Sequence, residues 1–509
     1  MKSWNRALKG ALLTSALAFA AAAQAQPAGT LTISSPQDPG SWDPIDTFLV
    51  NWSAVANNVF DGLVARTPEL EIVPALATEW EISEDGLTYR FTLREGVTFH
   101  NGEPFDAEAV KFTFDRLLGE DGAAGPQQSN YNAIESVEIV DPLTVEMKLS
   151  RPDPVLLTKL SGYGAMIVPP AYIAEHGDEH FNTNPVGTGP FRMTAYAARD
   201  SVNLEPYEEF WGEAPKLESV VFRFITEPST ALAELQSGRV DMVIPPSVPI
   251  GSIPTIESAS NLELVSVPGP TVYSLRFNTR DGITADPRVR RALVMAVDRA
   301  TIIEAILAGQ ARPIASFQSE QTFGNDPSLE AIPFDPEGAK ALLEEAGVEP
   351  GASVQIDIRG NDSTFNEVAQ VVASYLAAVG VTANIQPYET NVLLNDIIPA
   401  GRTGAMWQQT WGAWTFDYDN TAYLMYHTGE RWNPYGEDAE LDALLESQRG
   451  MTDPAERERV LHEIAAYVAE QAIEMPLYNL NQIYAINTRV KNFVAPPDSR
   501  LRLTDVTVE

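Results

Sequence analysis

The stretch WQQTWGAWTFDYDN, residues 407–420, sets three tryptophans and two aspartates within fourteen positions. A buried carboxylate without a partner costs several kcal/mol. This mixture is therefore either a solvated loop or a pocket for a cationic group. Asp417 follows a predicted strand, GAMWQQTW, and ligands of open α/β sheets bind beyond the carboxyl ends of strands. Asp417 is thus a candidate binding residue by position as well as by charge.

Arg359 is a second candidate, because it immediately follows the strand-like run VQIDI. A guanidinium holds a carboxylate through two parallel charge-assisted hydrogen bonds, which suits recognition of an acidic group. The alternative is that Arg359 is solvated or pairs with a nearby acid such as Asp362. The sequence leaves both interpretations open.

The segment HGDEH matches the H-x-x-E-H pattern of zinc peptidases, with His176, Glu179 and His180 as the reactive groups. That pattern needs both histidines on one face of a helix, and Gly177 interrupts the helix between them. A solvated loop is the simpler interpretation. A secreted zinc hydrolase is the rival hypothesis from another functional class.

Other catalytic and cofactor motifs fail on inspection. GTGPF, residues 187–191, lacks the third glycine of a dinucleotide loop and predicts a tight turn that enters a strand. DYDN fails as a calcium loop, since Ala422 replaces the required glycine and Thr428 the bidentate glutamate. Without cysteine or a G-x-S-x-G motif, a nucleophile and base pair is not indicated. We predict no enzymatic activity, no metal and no cofactor.

Residues 1–25 have the features of a secretory signal peptide. Three basic residues precede an apolar run that ends in Ala-Gln-Ala, a small-residue cleavage site. No cysteine follows that could carry a lipid, so we expect a soluble protein of the Gram-negative periplasm. Removing these three basic residues takes the formal charge from −36 to −39, which disfavours nucleic-acid and anionic-membrane binding.

A chain of 509 residues, 44% of them hydrophobic, predicts two or three domains. The early region mixes strands, turns and short helices. A strand-like LTISS and a turn at SWDP lead into a helical stretch around 54–64. Apolar residues then alternate with polar ones from Leu87 to Leu93, which predicts a strand with one buried face. Asp106 is the predicted N-cap of the helix that follows.

The second half follows a different pattern. Three Asp-Pro pairs each place an N-cap before a first-turn proline and predict helices from Pro287, Pro336 and Pro454. Between the last two, an alternating strand, a helix over about 365–379 and a strand from Val381 form a βαβ unit. Such a unit joins a parallel pair of strands. The predicted fold class is therefore α/β.

Five blocks of sequence, taken together, carry a family resemblance. They are PALATEWEISEDGLTYRFTLREGVTFHNGEPFDAEAVKFTFDRL (74–117), NPVGTGPFRM (184–193), FNTRDGITADPRVRRALVMAVDR (277–299), FDPEGAKALLEEAG (334–347) and MPLYN (475–479). In this order, and spanning nearly all the mature chain, they closely resemble extracytoplasmic solute-binding proteins of family 5. These proteins serve the peptide, nickel and opine ABC importers.

The resemblance implies a two-lobed periplasmic binding protein of type II, similar to cluster C, with an additional small domain on lobe I. The chain would cross twice between the lobes and so form a hinge that lets them swing. Lobe I would combine residues 26–60, 185–267 and 478–509, with the additional domain at 61–184 and lobe II at 268–477.

The resemblance also implies a function. The protein would capture a small zwitterionic solute, a dipeptide, oligopeptide or similar compound, by lobe closure and deliver it to the permease and ATPase subunits of an ABC importer. A monomer is expected. Where relatives often continue with an acidic residue and proline, this chain reads DYDNTAY. An opine, glutathione, a metal chelate or a sugar therefore remains an alternative ligand.

Relatives that bind peptides use an aspartate after a similar W-x-x-D segment to hold the ligand's α-amino group, and Trp414 to Asp417 matches that segment. By this resemblance Asp417 would fix the amino end of the solute. Trp407, Trp411 and Trp414 would form apolar walls around it. The alternatives are a helix cap or surface acid for Asp417 and ordinary core packing for the tryptophans.

Overall fold

A computed structural model describes residues 29–509, so the predicted signal peptide lies outside the described residues. The strands are β1 Thr30–Ser35, β2 Val64–Arg66, β3 Ile72–Pro74, β4 Ala77–Ile82, β5 Thr88–Leu93, β6 Ile134–Asp141, β7 Thr144–Leu149, β8 Phe191–Ala197, β9 Ser201–Pro206, β10 Ser219–Phe224, β11 Met242–Val243, β12 Leu262–Phe277, β13 Ala311–Arg312, β14 Ala352–Arg359, β15 Val381–Tyr388, β16 Met406–Gly412, β17 Glu474–Asn487, β18 Val490–Lys491 and β19 Thr507–Val508.

The α-helices of the described chain are α1 Val50–Ala56, α2 Ala107–Leu118, α3 Glu120–Ala124, α4 Leu156–Leu160, α5 Pro170–His176, α6 Asp178–Phe181, α7 Pro228–Gln236, α8 Ile253–Glu257, α9 Pro287–Met295, α10 Arg299–Leu307, α11 Pro336–Glu345, α12 Ser363–Ala378, α13 Thr390–Val392, α14 Tyr418–Tyr426, α15 Ala439–Ser447 and α16 Pro454–Glu470. Among residues 29–509, no helix combines the length and apolar character needed to cross a bilayer.

One eleven-stranded sheet runs through the molecule in the order β15-β14-β16-β12-β17-β11-β1-β10-β9-β8, and β13 pairs with β17. The predicted βαβ unit is confirmed, because β14 and β15 pair in parallel across α12. At the centre of the sheet, β12 and β17 are antiparallel strands of 16 and 14 residues. Their register shifts between Pro268 and Val272, so the pairing is interrupted near the middle of the sheet.

Separate hydrophobic cores lie along this sheet. Around β1 and β10, Leu31, Ile33 and Phe222 share one core with residues of the C-terminal segment. Around β14 and α12, Ile356 and Val368 belong to another. Only β12 and β17 run from the first group of strands to the second in the described sheet. The exact lobe boundaries remain a prediction.

A four-stranded antiparallel sheet, ordered β4-β5-β7-β6, packs with α2 around a core of its own. The predicted alternation is confirmed in β5, where Tyr89, Phe91 and Leu93 are buried. Asp106 caps α2 as predicted, since its carboxylate accepts from the backbone amides of Glu108 and Ala109. This unit comes from a single stretch of chain inserted between α1 and β8.

The predicted helix starts in the second half are confirmed, because Asp286, Asp335 and Asp453 cap α9, α11 and α16. The predicted helical stretch around 54–64 is wrong in extent. Helix α1 ends at Ala56. At Gly62, a Cβ atom would lie 2.4 Å from the Leu160 carbonyl oxygen, so close contact with another segment determines the path of the chain there.

Candidate functional site

The loop of residues 413–417, called here the site loop, connects β16 to α14 at the carboxyl end of β16. Asp417 is the N-cap of α14 and accepts from the Asp419 amide at 3.0 Å. The Phe323 amide donates to the Phe416 carbonyl at 2.8 Å, and the Tyr418 amide donates to the Phe323 carbonyl at 3.1 Å. Both backbone hydrogen bonds go to Phe323, so this one residue fixes the end of the site loop that leads into α14.

A cavity of about 560 Å³ opens beside the site loop. One wall comes from the region of the four-stranded sheet and includes Tyr89 and Leu157, while the opposite wall includes Phe416, Asp417 and Arg457. This volume falls in the range of small-molecule pockets, about 300–1,000 Å³. The cavity therefore has room for a peptide-sized solute between two separately folded parts of the chain.

Within the cavity wall, Asp417 already has a protein partner. Arg457 donates from Nη1 to Oδ2 at 2.7 Å and from Nη2 to Oδ1 at 2.6 Å, and both side chains are buried. Burial opposes the charged form of Arg457, but the hydrogen bonds and charge of Asp417 outweigh it and raise the Arg457 pKa. The negative charge of Asp417 is thus compensated inside the protein, and its amine-binding role stays a prediction.

Arg359 lies at the carboxyl end of β14 but does not line this cavity. Its amide donates to Gln408 Oε1, and the Nε2 group of Gln408 donates to Asp362 Oδ2, each at 2.9 Å. The Arg359 Nε atom is buried and has no hydrogen-bond partner among residues 29–509. Burial lowers the pKa of the Arg359 guanidinium, while Tyr273 and Asp362 oppose that shift. Gln408 thus links Arg359 to Asp362 through hydrogen bonds.

The three tryptophans of the opening motif lie in three different environments. Trp414, on the site loop, packs against the core around β1 and contacts Phe48 and Tyr163 edge-on, at ring distances of 5.6 and 5.5 Å. Trp411 is half-buried in the core of α14 and α16. Trp407 is only 1% exposed and is enclosed by neighbours such as Tyr435. Only Trp414 reaches across to the other half of the molecule.

The arginines around the site loop carry no signal in the local sequence. Arg66, on β2, donates to the carbonyl oxygens of Trp414 and Thr415 at 3.0 and 3.2 Å. It also pairs with Asp498 at 2.9 Å. Arg500 lies on the same C-terminal segment as Asp498, with its guanidinium 5.3 Å from the Tyr163 ring centroid. No local motif could have joined residues that are 432 positions apart in the chain.

These charges influence one another strongly. Burial, followed by repulsion from Arg500, lowers the pKa of Arg66 to about 10. Burial alone would raise the pKa of Asp498, but Arg66, Arg500 and Arg502 lower it below its usual value. The region beside the site loop therefore has a local positive potential in a protein whose formal charge is −36.

The HGDEH segment does not form the continuous helix that its zinc pattern requires. Helix α5 ends at His176, Gly177 follows with φ of 80°, and α6 starts at Asp178. The rings of His176 and His180 are 5.0 Å apart, and His180 Nε2 bonds the Tyr172 hydroxyl at 3.0 Å. Residues 29–509 contain no group of three or more His, Cys, Asp or Glu side chains placed to hold a metal.

A segmented sheet with two long central strands, and a cavity between separately folded parts, define the class of two-lobed binding proteins. Residues 71–433 match the profile of the bacterial extracellular solute-binding proteins, family 5 (middle region). This chain belongs to that family. The predicted fold class is confirmed, and the family consists of extracytoplasmic solute-binding proteins of ABC transporters, which are not enzymes.

Several relatives cover almost the whole chain. The glutathione-binding protein GsiB of Salmonella paratyphi A is 27% identical over 477 residues, which are 92% of each chain. The ABC transporter substrate-binding protein CtaP of Listeria monocytogenes has a similar structure, with a TM-score of 0.86, 24% identity and coverage of 95% of this chain and 100% of CtaP. NikA of Brucella suis, in complex with Fe(III)-EDTA, has a TM-score of 0.85 and 25% sequence identity, with coverage of 94% of this chain and 100% of NikA.

Proposed function

We propose that this protein captures a small zwitterionic, peptide-like solute between its lobes and delivers it to the permease and ATPase of an ABC importer. The observation that carries the proposal is the position of the site loop. Phe48, Tyr163 and Arg66 all contact it from the opposite side of the cleft. A solute held at this loop would touch both halves at once only when the cleft is closed.

Closure then requires no chemical reaction. It requires only that the solute bind the closed conformation more tightly than the open one. A ligand shifts an equilibrium by its difference in affinity for the open and closed states. Moving a population from 1:99 to 99:1 takes about 5.5 kcal/mol, which is less than the roughly 8 kcal/mol of micromolar binding. The long strands β12 and β17, with their register shift between Pro268 and Val272, are the proposed hinge. The boundaries 26–60, 61–184, 185–267, 268–477 and 478–509 remain part of this proposal.

The ligand class follows from the walls of the cleft. Tyr89, Leu157 and Phe416 give the cavity apolar surface, and its lining also includes charged groups of both signs, among them Glu69, Asp417 and Arg457. Relatives in the family include a glutathione-binding protein and a structure that holds Fe(III)-EDTA. A peptide-like solute such as glutathione fits these features best, while an opine, another chelate or a sugar is the alternative ligand.

We further propose a periplasmic location, reached through the signal peptide of residues 1–25, and a free monomer without a lipid anchor. The absence of cysteine from the sequence supports the absence of a lipid anchor. Mass spectrometry of protein recovered from the native periplasm would test the cleavage of the signal peptide and the absence of the anchor. An N-terminus at residue 26 and an unmodified mass are expected, and a retained leader would contradict the proposal.

Native mass spectrometry of the freshly purified protein tests solute capture directly. We expect an adduct of low molecular mass that dissociates on unfolding, and a smaller radius of gyration by X-ray scattering when that compound is restored. Metal analysis and a peptidase assay distinguish solute capture from the rival hypothesis of a secreted zinc hydrolase. Stoichiometric zinc with peptide hydrolysis would favour the hydrolase, and an unchanged radius with bound solute would rule out capture by closure.

A further inference from the structure

Arg66 contacts three consecutive residues of the site loop. Its guanidinium donates from Nη2 to the Trp414 carbonyl at 3.0 Å and from Nη1 to the Thr415 carbonyl at 3.2 Å. Its Cζ atom also lies 5.3 Å from the centroid of the Phe416 ring, within the range of cation–π contacts. One buried side chain therefore holds most of the loop.

Arg66 is fixed to its own half of the molecule by an ion pair. Asp498 accepts from Arg66 Nη2 at 2.9 Å, and both side chains are buried. Arg66 lies on β2 and Asp498 in the C-terminal segment, whereas the site loop follows β16. By the predicted boundaries, the ion pair belongs to lobe I with its additional domain, and the loop belongs to lobe II. Arg66 is thus anchored to one lobe while it bonds the other.

An aromatic contact joins the same two parts. Trp414 packs its ring edge-on against Phe48, with the ring centroids 5.6 Å apart. Phe48 precedes α1, in predicted lobe I, and is 42% exposed. Arg66 and Phe48 therefore approach the site loop independently, one through its backbone and the other through a side chain. These two residues are called here the interlobe latch.

The backbone of the site loop needs such support. Phe416 has a φ of 53°, a left-handed conformation that costs free energy in a residue with a Cβ atom. The Phe323 amide bonds the Phe416 carbonyl at 2.8 Å from within predicted lobe II. Arg66 bonds the two carbonyls that precede Phe416. Opening of the cleft would remove the support from Arg66 and keep that from Phe323.

The latch lies beside the cavity and not in it. The cavity lining includes Thr415, Phe416 and Asp417. Neither Arg66 nor Phe48 is among the described residues that line it. The latch therefore positions one wall of the cavity without reaching a solute inside it.

We propose that Arg66 and Phe48 form a latch that holds the closed form together and so raises affinity for the solute without contacting it. The inference rests on the proposed function and adds positioning residues to it. Every contact of the latch joins protein groups, so the latch favours closure with or without a solute. In the open form water replaces the carbonyl acceptors of Arg66, so the net gain on closure is modest and the latch stays reversible.

A latch of this kind has a quantitative signature. The apparent affinity of a ligand is reduced by the fraction of protein in the binding-competent form. Where the closed form is the minor species, weakening the latch should lower the closed population and the affinity by the same factor. Loss of a residue that contacts the solute would instead lower affinity and leave the closed population of the solute-free protein unchanged.

Three variants of the mature protein test the latch. Arg66→Lys keeps a positive charge beside Asp498 but loses the planar fork that reaches two carbonyls. Phe48→Ala removes an exposed ring and disturbs no buried charge. Arg90→Lys is the matched control, because Arg90 is an exposed residue of β5 that pairs with Glu146 on the neighbouring strand β7 of the same sheet.

Pulsed electron resonance measures the closed population in solute-free protein, refolded from urea to remove any bound compound. Spin labels on cysteines at Val494 and Val392, which are 58% and 38% exposed, report the interlobe distance. The closed form is recognised by the distance that the structure gives for this pair. Calorimetry with glutathione measures affinity, and circular dichroism establishes that each variant folds.

We expect a closed population in solute-free wild type. Arg66→Lys should lower the closed-to-open ratio and the affinity for glutathione together, at least tenfold. Phe48→Ala should lower both by a smaller common factor, and Arg90→Lys should change neither. If Arg66→Lys does not fold, Phe48→Ala decides the question alone.

Several results would overturn the latch while solute capture stands. They are the absence of a closed population in solute-free wild type, closed populations in both latch variants equal to that of wild type, and a loss of affinity with no change in that population. Failure of glutathione to bind would count against the peptide-like ligand class of the proposed function. The distance distributions of the solute-free proteins would then still decide whether the latch exists.

Discussion

Asp417 shows how one side chain serves several roles. Its carboxylate caps α14, accepts two hydrogen bonds from Arg457 and lines the cavity. The helix cap was the alternative interpretation of this residue on sequence alone, and the structure contains it. A solute amine at this position would have to share the carboxylate with Arg457, which sets the first prediction.

Asp417→Asn should lower the free energy of unfolding by about 3 kcal/mol, because removing one partner of a buried ion pair leaves the other charge uncompensated. Urea denaturation measures the change. The double variant Asp417→Asn with Arg457→Gln should recover most of the loss, since neither charge then remains.

If the single variant is as stable as wild type, the pair does not stabilise the fold. The double variant also provides the fair test of amine binding. There, at least tenfold weaker binding of trialanine than in wild type would support a ligand role for Asp417 that is separate from stability.

His100 supplies a pH prediction. Its Nε2 bonds the Gly189 carbonyl at 3.0 Å, and its Nδ1 accepts from the Gly187 amide at 3.3 Å, so the neutral ring is the form that fits. Burial lowers the pKa of His100 to about 4. The unfolded chain takes up a proton below about 6.5, whereas the folded protein does not. Stability from this group is therefore complete above pH 6.5 and is lost as pH falls towards 4.

The loss attributable to His100 should reach roughly 3 kcal/mol. His100→Gln keeps a neutral donor and acceptor, so its unfolding free energy should fall less steeply than that of wild type between pH 6.5 and 4. Urea titrations across this range give the comparison. His180→Gln alters an exposed histidine and should follow wild type. Parallel curves for His100→Gln and wild type would contradict the prediction.

At the scale of secondary-structure elements, features that depend on neighbouring residues were predictable from sequence. Contacts between distant segments were not. Asp286, Asp335 and Asp453 cap helices because the N-cap and the following proline act within one turn. Strand β5 was readable from its alternation. By contrast, the extent of α1 depends on distant segments: Asn58 donates to the carbonyl of Leu501. The arginines around the site loop could not be predicted for the same reason.

The turn GTGPF leads into β8, as its sequence predicts, and its glycines are required by close packing. A Cβ atom at Gly187 would lie 2.1 Å from the Val59 carbonyl oxygen, which is backbone and cannot move aside. Gly187→Ala should therefore reduce the free energy of unfolding by about 1–3 kcal/mol, the usual range for overpacking. Thermal and urea unfolding would measure it.

Gly251→Ala is the matched control, because no atom lies within 4 Å of a Cβ atom placed there. This variant should change stability by less than about 0.5 kcal/mol. Equal effects of the two substitutions would mean that the contact with Val59 is not what constrains the turn.

For the whole molecule, the absence of cysteine makes the lobe movement directly measurable. Cysteines at Val494 and Val392, which are 58% and 38% exposed and lie in the predicted lobes I and II, can carry spin labels. Addition of glutathione should change the interlabel distance measured by pulsed electron resonance, since the labels follow different lobes. Labels at Val392 and Phe334, both in predicted lobe II, should keep their distance.

An unchanged distance for the first pair, with glutathione bound, would show that the lobes do not move relative to each other. A change in both pairs would place the movement inside lobe II rather than at β12 and β17. The two measurements together therefore test the predicted hinge.

The overall architecture was accessible from sequence because five blocks span the chain in the family's order. Those blocks lie in elements that build the scaffold, such as β5, α2, α9 and α11. The contacts around the site loop are made elsewhere, by residues such as Phe48, Arg66 and Asp498 that meet only in the folded protein. The scaffold is predictable from local sequence patterns, whereas ligand specificity depends on residues that are distant in the sequence and meet in the fold.

The path of the chain through the large sheet also determines when the protein can fold. Strand β11 lies between β1 and β17, and Leu501 and Leu503 share a core with Leu31. Strand β1 therefore cannot complete its core until Leu501 and Leu503 have been synthesised. That half of the molecule reaches its native state only long after β1 itself has left the ribosome.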